Sequence, residues 1–321
     1  MKPIASGQEL AARIRRRQFD DPAQSALQER LIGAVASDPE PFLARYIDLP
    51  NSFQGRFVNS DMLKLTVPEY AESRAARERC NLVVHNACAV LTAEHFRRVL
   101  AEPVSDGARR VYMLTGAPGA GKTASSIRRA WPEGVHAIYE GQLANPEVAL
   151  EKVGQVLDAG LHPVIQVVHV RPERAMANAL TRFERFGRPT SPELLAGIQG
   201  NLRDSLAVVK EQFGERANII IFDKRDFAHG RILYGWEHLG LLASEGNAAR
   251  IRERLEKYLE LRNAGAVAAA VEQTGTAAPP DASGEERMEA IDARNAEATL
   301  EHMNRITNDP AFREEILQNI C

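Results

Sequence analysis

The residues with the clearest chemistry form a glycine-rich run between a predicted strand and a predicted helix. Residues 116–123 read GAPGAGKT, which matches the phosphate-binding pattern G-x-x-x-x-G-K-[ST] at every position. Small residues allow backbone amides to surround phosphate oxygens, and the following helix start favours an anion. Lys122 is predicted to contact the β- and γ-phosphates of ATP or GTP, and Thr123 to ligate Mg²⁺. The predicted nucleotide-binding residues are Gly116, Ala117, Pro118, Gly119, Ala120, Gly121, Lys122, Thr123 and Ala124.

Two carboxylates follow other predicted strands and are candidates for the acceptor side of such a site. Asp61 comes after the apolar run at 55–60, and Glu140 comes after the run at 135–139. Ligands of open parallel α/β sheets bind at the carboxyl ends of the strands. A carboxylate at Asp61 could therefore accept the proton of an attacking hydroxyl. The alternatives are a helix N-cap for Asp61 and an ordinary surface carboxylate for Glu140.

Cationic candidates lie on or beside the end of one predicted helix, at Arg182, Arg185 and Arg188. The first two share a helix face through their i,i+3 spacing. Guanidinium groups there could neutralise charge on a transferring phosphoryl group, whereas the alternative is a solvated basic face. Asp223 ends the run IIIFD, which has the form of a magnesium-binding strand. A structural role or a place near the nucleotide base is favoured for Asp223.

The elements that must position these residues alternate between strands and helices. Five strands are predicted, at 55–60, 110–115, 135–139, 163–170 and 218–222. Helical patterns occur at 69–100, 145–160, 172–214 and 247–263. This alternation predicts an α/β fold with a parallel sheet that is covered by helices on both faces, of the P-loop kinase type. The predicted organisation is an N-terminal helical segment at 1–50, the kinase domain at 51–263, a flexible linker at 264–285 and a C-terminal helical segment at 286–321.

The composition limits the class of protein and its partners. The formal net charge is −3, from 40 basic and 43 acidic residues, so the basic excess typical of a nucleic-acid binder is missing. The 3 cysteines argue against a disulfide framework. No run approaches the ~20 apolar residues of a membrane span, and the N-terminus lacks an apolar signal. A cytoplasmic protein without membrane or nucleic-acid partners is expected, and export as an effector stays open.

Three further segments, read together with the loop, resemble the zeta toxin family of P-loop kinases. Residues 57–70, FVNSDMLKLTVPEY, are similar to the family's V-N-x-D-x-x-K…P-E-Y stretch. Residues 137–143, AIYEGQL, are similar to I-x-E-G-T-L. Residues 168–173, VHVRPE, and 182–189, RFERFGRP, resemble V-x-P-E…R-Y…G-R-P. The resemblance extends over about residues 55–225.

This resemblance implies transfer of the γ-phosphoryl group of ATP or GTP to a hydroxyl of a nucleotide sugar such as UDP-N-acetylglucosamine. It implies that Asp61 is the catalytic base and that Arg182 and Arg188 act with Lys122 in catalysis. Glu140 is implied to bind the acceptor. Arg185, which lies on the same predicted helix as Arg182, is a further substrate-binding candidate. The implied biological role is a growth-inhibiting toxin that is held in check by an antitoxin.

Two departures from the family pattern affect the acceptor side. The Asp-bearing strand precedes the phosphate loop here, whereas in the family it follows the loop, and Gln142 replaces the family's threonine. A permuted order of the same sheet elements would explain the first. Other interpretations remain open: a P-loop kinase for another small molecule, nucleotide or nucleic-acid end, or an interaction module that binds nucleotide without catalysis. The helices within 1–50 are hypothesised to be a built-in inhibitor over the nucleotide site, so that deleting residues 1–48 raises activity.

Overall fold

A mostly parallel β-sheet forms the centre of the protein, for which a computed structural model describes residues 5–104, 107–122, 131–226 and 230–263. Within these ranges the strands are β1 Phe57–Asn59, β2 Arg110–Gly116, β3 Val135–Glu140, β4 His162–His169, β5 Asn218–Asp223 and β6 Arg231–Tyr234. The strand order is β1-β3-β2-β4-β5-β6. Neighbouring strands are parallel except β5 and β6, which pair antiparallel.

The expected count of five strands is wrong, because β6 is a sixth. This strand has only 4 residues and none of them is fully buried, so it lacks the continuous apolar run that identifies a parallel strand from sequence.

The helices of the described residues account for most of the predicted helical patterns. They are α1 Gly7–Arg13, α2 Pro22–Ser37, α3 Glu40–Ile47, α4 Ser60–Leu63, α5 Pro68–Ala71, α6 Arg74–Leu100, α7 Pro146–Asp158, α8 Pro172–Phe186, α9 Pro192–Phe213 and α10 Ala248–Asn263. Short 3₁₀ turns occupy Pro50–Ser52, Lys64–Thr66, Gly214–Arg216 and Trp236–Ala243. None of the helices in this part of the chain has the length and apolar character needed to cross a membrane.

The helical pattern at 172–214 consists of two helices, α8 and α9. Gly187 ends α8 in the left-handed conformation, with φ 67°, which glycine adopts without a side-chain penalty. Pro189 follows two residues later, where it cannot continue the helix. The predicted linker at 264–285 and the predicted helical segment at 286–321 lie outside the described residues.

Alternate residues of β2 point into two different hydrophobic cores, one on each face of the sheet. Val111 and Met113 pack in a core that includes α7 and the end of α6. Tyr112 and Leu114 pack in a core that includes α8 and α10. Both faces of the central strand are therefore covered by helices, which explains its continuous apolar sequence.

The N-terminal helices share a third core with α4, α5 and α6. Leu31 and Val35 of α2 and Tyr46 of α3 are buried in the same cluster as Leu63 and Val84. Deleting residues 1–48 would remove these side chains and expose the rest of this cluster to water. The packing gives these helices a structural part in the body that carries Asp61.

Tyr46 connects α3 to the outer edge of β1. Its hydroxyl donates a hydrogen bond to the backbone oxygen of Phe57 and accepts one from the backbone N–H of Asn59, 2.9 Å away. These backbone groups face away from β3, and at a sheet edge they would otherwise lack a partner. Tyr46 therefore completes the hydrogen bonding of the short strand that precedes Asp61.

Replacing Tyr46 with phenylalanine is expected to lower the free energy of unfolding by about 1–3 kcal/mol, because two buried backbone groups lose their partner. Urea unfolding followed by circular dichroism measures this change. Tyr258→Phe, which removes a partly buried hydroxyl on α10, is the matched control. Equal unfolding midpoints for the two variants would show that the Tyr46 hydroxyl does not stabilise the edge strand.

Candidate active site

The ends of three strands lie side by side at one edge of the sheet. The register pairs Asn59 of β1 with Glu140 of β3, and Glu140 with Leu114 of β2. Since adjacent strands are about 4.8 Å apart, the end of β1 lies roughly 10 Å from the end of β2. Asp61 follows β1 and the glycine-rich loop follows β2, so the carboxylate and the loop occupy the same edge.

Glycines shape the loop and allow it to pack on α8. Gly116, Gly119 and Gly121 have φ values of 137°, 80° and 82°, a region that strains other residues. A Cβ atom on Gly119 would lie 2.1 Å from the backbone oxygen of Ala175 in α8. Asn178 of α8 donates to the backbone oxygen of Gly119 at 2.8 Å. The loop therefore packs directly on the helix that also carries Arg182.

Lys122 lies inside this loop and is almost fully buried. Its ammonium donates to the backbone oxygens of Gly116 and Ala117 at 2.9 and 3.0 Å. Burial lowers the pKa of Lys122, while the charges on Glu140 and Asp61 raise it and that on Arg182 lowers it. The ammonium thus lies where charges from three other elements converge.

The residues of the loop fit a bound phosphate chain, because a glycine cradle and one buried ammonium are the donors that phosphate requires. Thr123 and Ala124, the remaining predicted nucleotide-binding residues, lie outside the described residues. Within the described residues, no group of three or more His, Cys, Asp or Glu side chains could hold a metal ion. Magnesium bound through nucleotide phosphates needs only one or two protein ligands.

Asp61 lies in the first turn of α4, but it does not cap this helix. Asn59 is the N-cap, since its side-chain oxygen accepts from the backbone N–H groups of Asp61 and Met62 at 2.7 and 3.1 Å. The N-cap alternative for Asp61 is therefore wrong. Its side chain is 42% exposed, so the carboxylate remains accessible to a ligand.

Two cations hold the Asp61 carboxylate. The buried Lys64 ammonium donates to Oδ1 of Asp61 at 2.9 Å and to Oδ1 of Asn81 at 3.0 Å. A guanidinium nitrogen of Arg188 lies 3.8 Å from Oδ2. Partial burial raises the pKa of Asp61, but Lys64 and Arg188, together with Arg182, outweigh this effect and hold the pKa well below its usual range. The carboxylate is therefore ionised at physiological pH.

Lys64 was not among the candidates drawn from the sequence, although it lies within the 57–70 segment. The signal that could have identified it is its i,i+3 spacing from Asp61 in a helical stretch, which places the two side chains on one face. Lys64 was not predicted as a site residue because lysines are usually exposed, whereas the 3₁₀ turn that carries Lys64 buries it.

Replacing Lys64 with methionine is expected to raise the pKa of Asp61, because burial remains and the nearest cation is lost. A catalytic base works only when ionised, so activity is lost as the pH falls through the pKa of Asp61. The acid limb of the rate profile should therefore move to higher pH in Lys64→Met, whereas Lys210→Met, which changes an exposed lysine of α9, should leave the limb in place. A pH–rate profile of phosphoryl transfer measures both, and an unmoved limb in Lys64→Met would contradict this role.

The three predicted arginines lie at different positions relative to Asp61. Arg182 of α8 acts on the pKa of both Asp61 and Lys122. Arg188 follows α8 and faces Asp61, and its buried Nε has no hydrogen-bond partner in the described part of the chain. Arg185 is exposed on α8. Arg182 and Arg188 thus both act on the Asp61 carboxylate.

The position of Arg188 depends on contacts that α6 makes with the end of α8. Arg74 of α6 donates to the backbone oxygen of Glu184 at 2.6 Å, and Arg77 donates to that of Phe186 at 2.9 Å. The last carbonyls of a helix have no partner within the helix, so these arginines satisfy them. Sequence reasoning missed this pair, because residues separated by more than 100 positions carry no local signal.

Glu140 lies partly buried at the end of β3, and the segment after it is anchored on both sides. The backbone N–H of Leu143 donates to the Thr115 hydroxyl at 3.2 Å, and the Ser205 hydroxyl donates to the backbone oxygen of Leu143 at 2.6 Å. These contacts fix the turn that contains Gln142 next to β2. Glu140 is close enough to Lys122 to act on its pKa.

Asp223 lies at the end of β5, on the other side of β2 from Asp61. Its buried carboxylate accepts from Arg225 at 2.8 Å and from Arg231 at 2.9 Å. Burial raises the pKa of Asp223, and these arginines hold it well below its usual range. Asp223 and these two arginines therefore form an ion cluster that joins β5 to β6.

Comparison with known families gives a match to part of this region. The family model described as Zeta toxin matches residues 125–230, about a third of the chain. No curated protein matches the chain. The matched range includes Glu140, Arg182 and Arg188, and it begins after the glycine-rich loop and does not reach Asp61. Over residues 125–230 this chain is similar to the zeta toxin family of P-loop kinase-like phosphotransferases.

Proposed function

We propose that this protein transfers the γ-phosphoryl group of ATP or GTP to a hydroxyl of a nucleotide sugar, such as UDP-N-acetylglucosamine, and thereby inhibits growth. The observation that carries this proposal is the ionised Asp61 carboxylate at the same sheet edge as the Lys122 ammonium. The zeta toxin match supports nucleotide-dependent phosphotransfer. A protein antitoxin is the proposed partner.

On the donor side, the loop amides and Lys122 bind the β- and γ-phosphates. Thr123 is the residue proposed to ligate Mg²⁺, which would neutralise charge on the phosphate oxygens when bound. During transfer the bond from the γ-phosphorus to the bridging oxygen breaks, and the acceptor oxygen forms the new bond. The electron pair of the broken bond leaves with the nucleoside diphosphate.

On the acceptor side, Asp61 accepts the proton of the attacking hydroxyl. Lys64 occupies Oδ1 of Asp61, so Oδ2 is the oxygen proposed to face the acceptor. A carboxylate with such a low pKa is a weak base, but phosphoryl transfer passes through a loose transition state in which orientation matters more than early proton removal. Asp61 is thus proposed to act mainly by aligning the hydroxyl.

The remaining charges are proposed to stabilise the transferring group and the acceptor. Arg182 and Arg188 lie beside Asp61, where guanidinium groups can neutralise developing phosphoryl charge. Glu140 and Arg185 are proposed to hydrogen-bond the acceptor. The position of β1 beside β3 supports a permuted chain order, since strand neighbours rather than chain order decide which side chains meet.

A mass-spectrometric assay tests the proposal. The protein is incubated with ATP, Mg²⁺ and a panel of nucleotide sugars, and one product is expected to gain the mass of one phosphoryl group. Asp61→Ala and Lys122→Ala should give no product. Turnover of other hydroxyl compounds with none of the nucleotide sugars would favour a different kinase. Nucleotide binding without any phosphorylated product would favour the non-catalytic module.

A further inference from the structure

Asn81 of α6 is joined to Asp61 through one buried ammonium group. The Lys64 Nζ atom donates to Oδ1 of Asp61 at 2.9 Å and to Oδ1 of Asn81 at 3.0 Å. Because both oxygens contact the same nitrogen atom, they lie no more than about 6 Å apart. The Lys64 side chain is only 4% exposed, so water has little access to these two hydrogen bonds. Asn81 therefore belongs to the immediate surroundings of the proposed base.

The same face of α6 also contacts the end of α8. Arg77 precedes Asn81 by four residues, so the two side chains are neighbours on the helix surface. Arg77 donates to the backbone oxygen of Phe186 at 2.9 Å. Arg188 follows Phe186 by two residues, and one of its guanidinium nitrogens lies 3.8 Å from Oδ2 of Asp61. Asn81 is therefore next to the region in which Asp61 and Arg188 meet.

The Asn81 side chain uses only part of its hydrogen-bonding capacity within the described part of the chain. A side-chain amide offers one oxygen acceptor and two N–H donors. The oxygen accepts from Lys64, and this contact sets the orientation of the amide, because an ammonium group can only donate. The amide nitrogen has no partner among the described residues and, on a half-buried side chain, it is open to solvent. Two oriented N–H groups are thus available beside Asp61.

Towards its C-terminus from Asn81, this face of α6 is uncharged, unlike the neighbouring end of α8. His85 follows Asn81 by four residues and shares its face. Burial lowers the pKa of His85 to about 4, with a further contribution from Lys64, so the imidazole is neutral at physiological pH. Arg182 and Arg188 carry positive charge on the α8 side. Guanidinium groups suit an anionic group of a ligand, whereas a neutral amide donor suits a hydroxyl or carbonyl oxygen.

We propose that the Asn81 amide nitrogen donates a hydrogen bond to an uncharged oxygen of the acceptor, a hydroxyl or carbonyl next to the hydroxyl that Asp61 aligns. This inference rests on the proposed function, because it assumes that the acceptor occupies the Asp61 side of the sheet edge. Asn81 thereby selects acceptors that carry two neighbouring oxygens, as the sugar ring of UDP-N-acetylglucosamine does.

Two variants of the full-length protein separate this contact from the support that Asn81 gives to Lys64. Asn81→Asp keeps an oxygen for Lys64 and loses both N–H donors, whereas Asn81→Leu is uncharged and loses the oxygen and the donors together. Isothermal titration calorimetry with UDP-N-acetylglucosamine, in saturating Mg²⁺ and a non-hydrolysable ATP analogue, measures acceptor affinity without turnover. Both variants are expected to weaken this binding about 10-fold, as for the loss of one hydrogen bond.

Asn201→Asp and Asn201→Leu are the matched controls, because they make the same changes at an exposed asparagine of α9. They should leave the affinity for UDP-N-acetylglucosamine unchanged, and thermal unfolding checks that every variant is folded. A loss in Asn81→Leu alone would limit Asn81 to supporting Lys64, and a loss in Asn81→Asp alone would be an effect of the added charge. Either result, or unchanged affinity in both variants, overturns the inference.

The same titrations distinguish this inference from the proposed function. A phosphorylated product from an acceptor whose affinity does not depend on Asn81 overturns the inference alone. Acceptor binding that depends on Asn81, together with no phosphorylated product, overturns the proposed function alone. No binding of UDP-N-acetylglucosamine to the unchanged protein overturns both.

Discussion

Replacing Asp61 with asparagine is expected to reduce the kcat of phosphoryl transfer by about 10²- to 10⁴-fold, because the carboxylate that aligns the acceptor hydroxyl and accepts its proton is lost. Asparagine keeps a side-chain oxygen for Lys64, so α4 and the acceptor side should stay folded. It removes the negative charge and the site that accepts the proton. Nucleotide affinity should change little, because Asp61 lies on the proposed acceptor side of the site and not in the loop that is proposed to bind the nucleotide. Steady-state kinetics and nucleotide titration measure the two effects separately.

Asp204→Asn is the matched control for this prediction. Asp204 is an exposed carboxylate with 74% of its side chain accessible, and it pairs with the adjacent Arg203 at 2.6 Å. Its replacement removes one negative charge from α9 without touching the sheet edge. An Asp61→Asn variant as active as Asp204→Asn would remove Asp61 from the mechanism.

The second large effect is expected from Lys122→Met, which replaces the loop ammonium with an apolar chain of similar length. The expected loss in kcat/KM for ATP is at least about 10²- to 10³-fold, as for removing one oriented charge-stabilising group. The backbone oxygens of Gly116 and Ala117 lose this donor, so some stability should be lost as well. Urea unfolding measures that loss, and a fall in kcat/KM for ATP in variant protein that remains folded separates a catalytic from a structural role.

Lys152→Met provides a control with similar burial. The Lys152 side chain of α7 is 7% exposed and pairs with Glu151 at 3.2 Å, away from the phosphate loop. Its replacement should leave kcat/KM for ATP unchanged. If Lys122→Met lost no more activity than Lys152→Met, the loop would not be the site of the phosphate donor.

The sequence predicted those parts of the fold whose signal is local. Strands such as β2 and β5 are buried on both faces, and their continuous apolar runs identify them. The sixth strand was missed because its residues are half exposed and its stability comes from pairing with β5. The helical pattern at 172–214 is divided into α8 and α9, because Gly187, with φ 67°, ends α8.

The residues of the candidate site also differ in whether the local sequence identifies them. The glycine-rich loop and Lys122 follow from one contiguous motif, whereas the surroundings of Asp61 are assembled from distant segments. Lys64 reaches this region through a buried 3₁₀ turn, and Arg74 reaches it from a helix that is more than 100 positions away from the end of α8 in sequence. The structure places Asp61, Glu140 and Lys122 at one edge of the sheet, and their catalytic roles remain proposals.

A crystal structure with Mg²⁺, a non-hydrolysable ATP analogue and UDP-N-acetylglucosamine would show whether Asp61 contacts the acceptor. A carboxylate oxygen of Asp61 is expected within about 2.6–3.2 Å of one sugar hydroxyl. That hydroxyl should lie in line with a γ-phosphate held by Lys122. An acceptor bound elsewhere, with Asp61 pointing away from the γ-phosphate, would contradict the account.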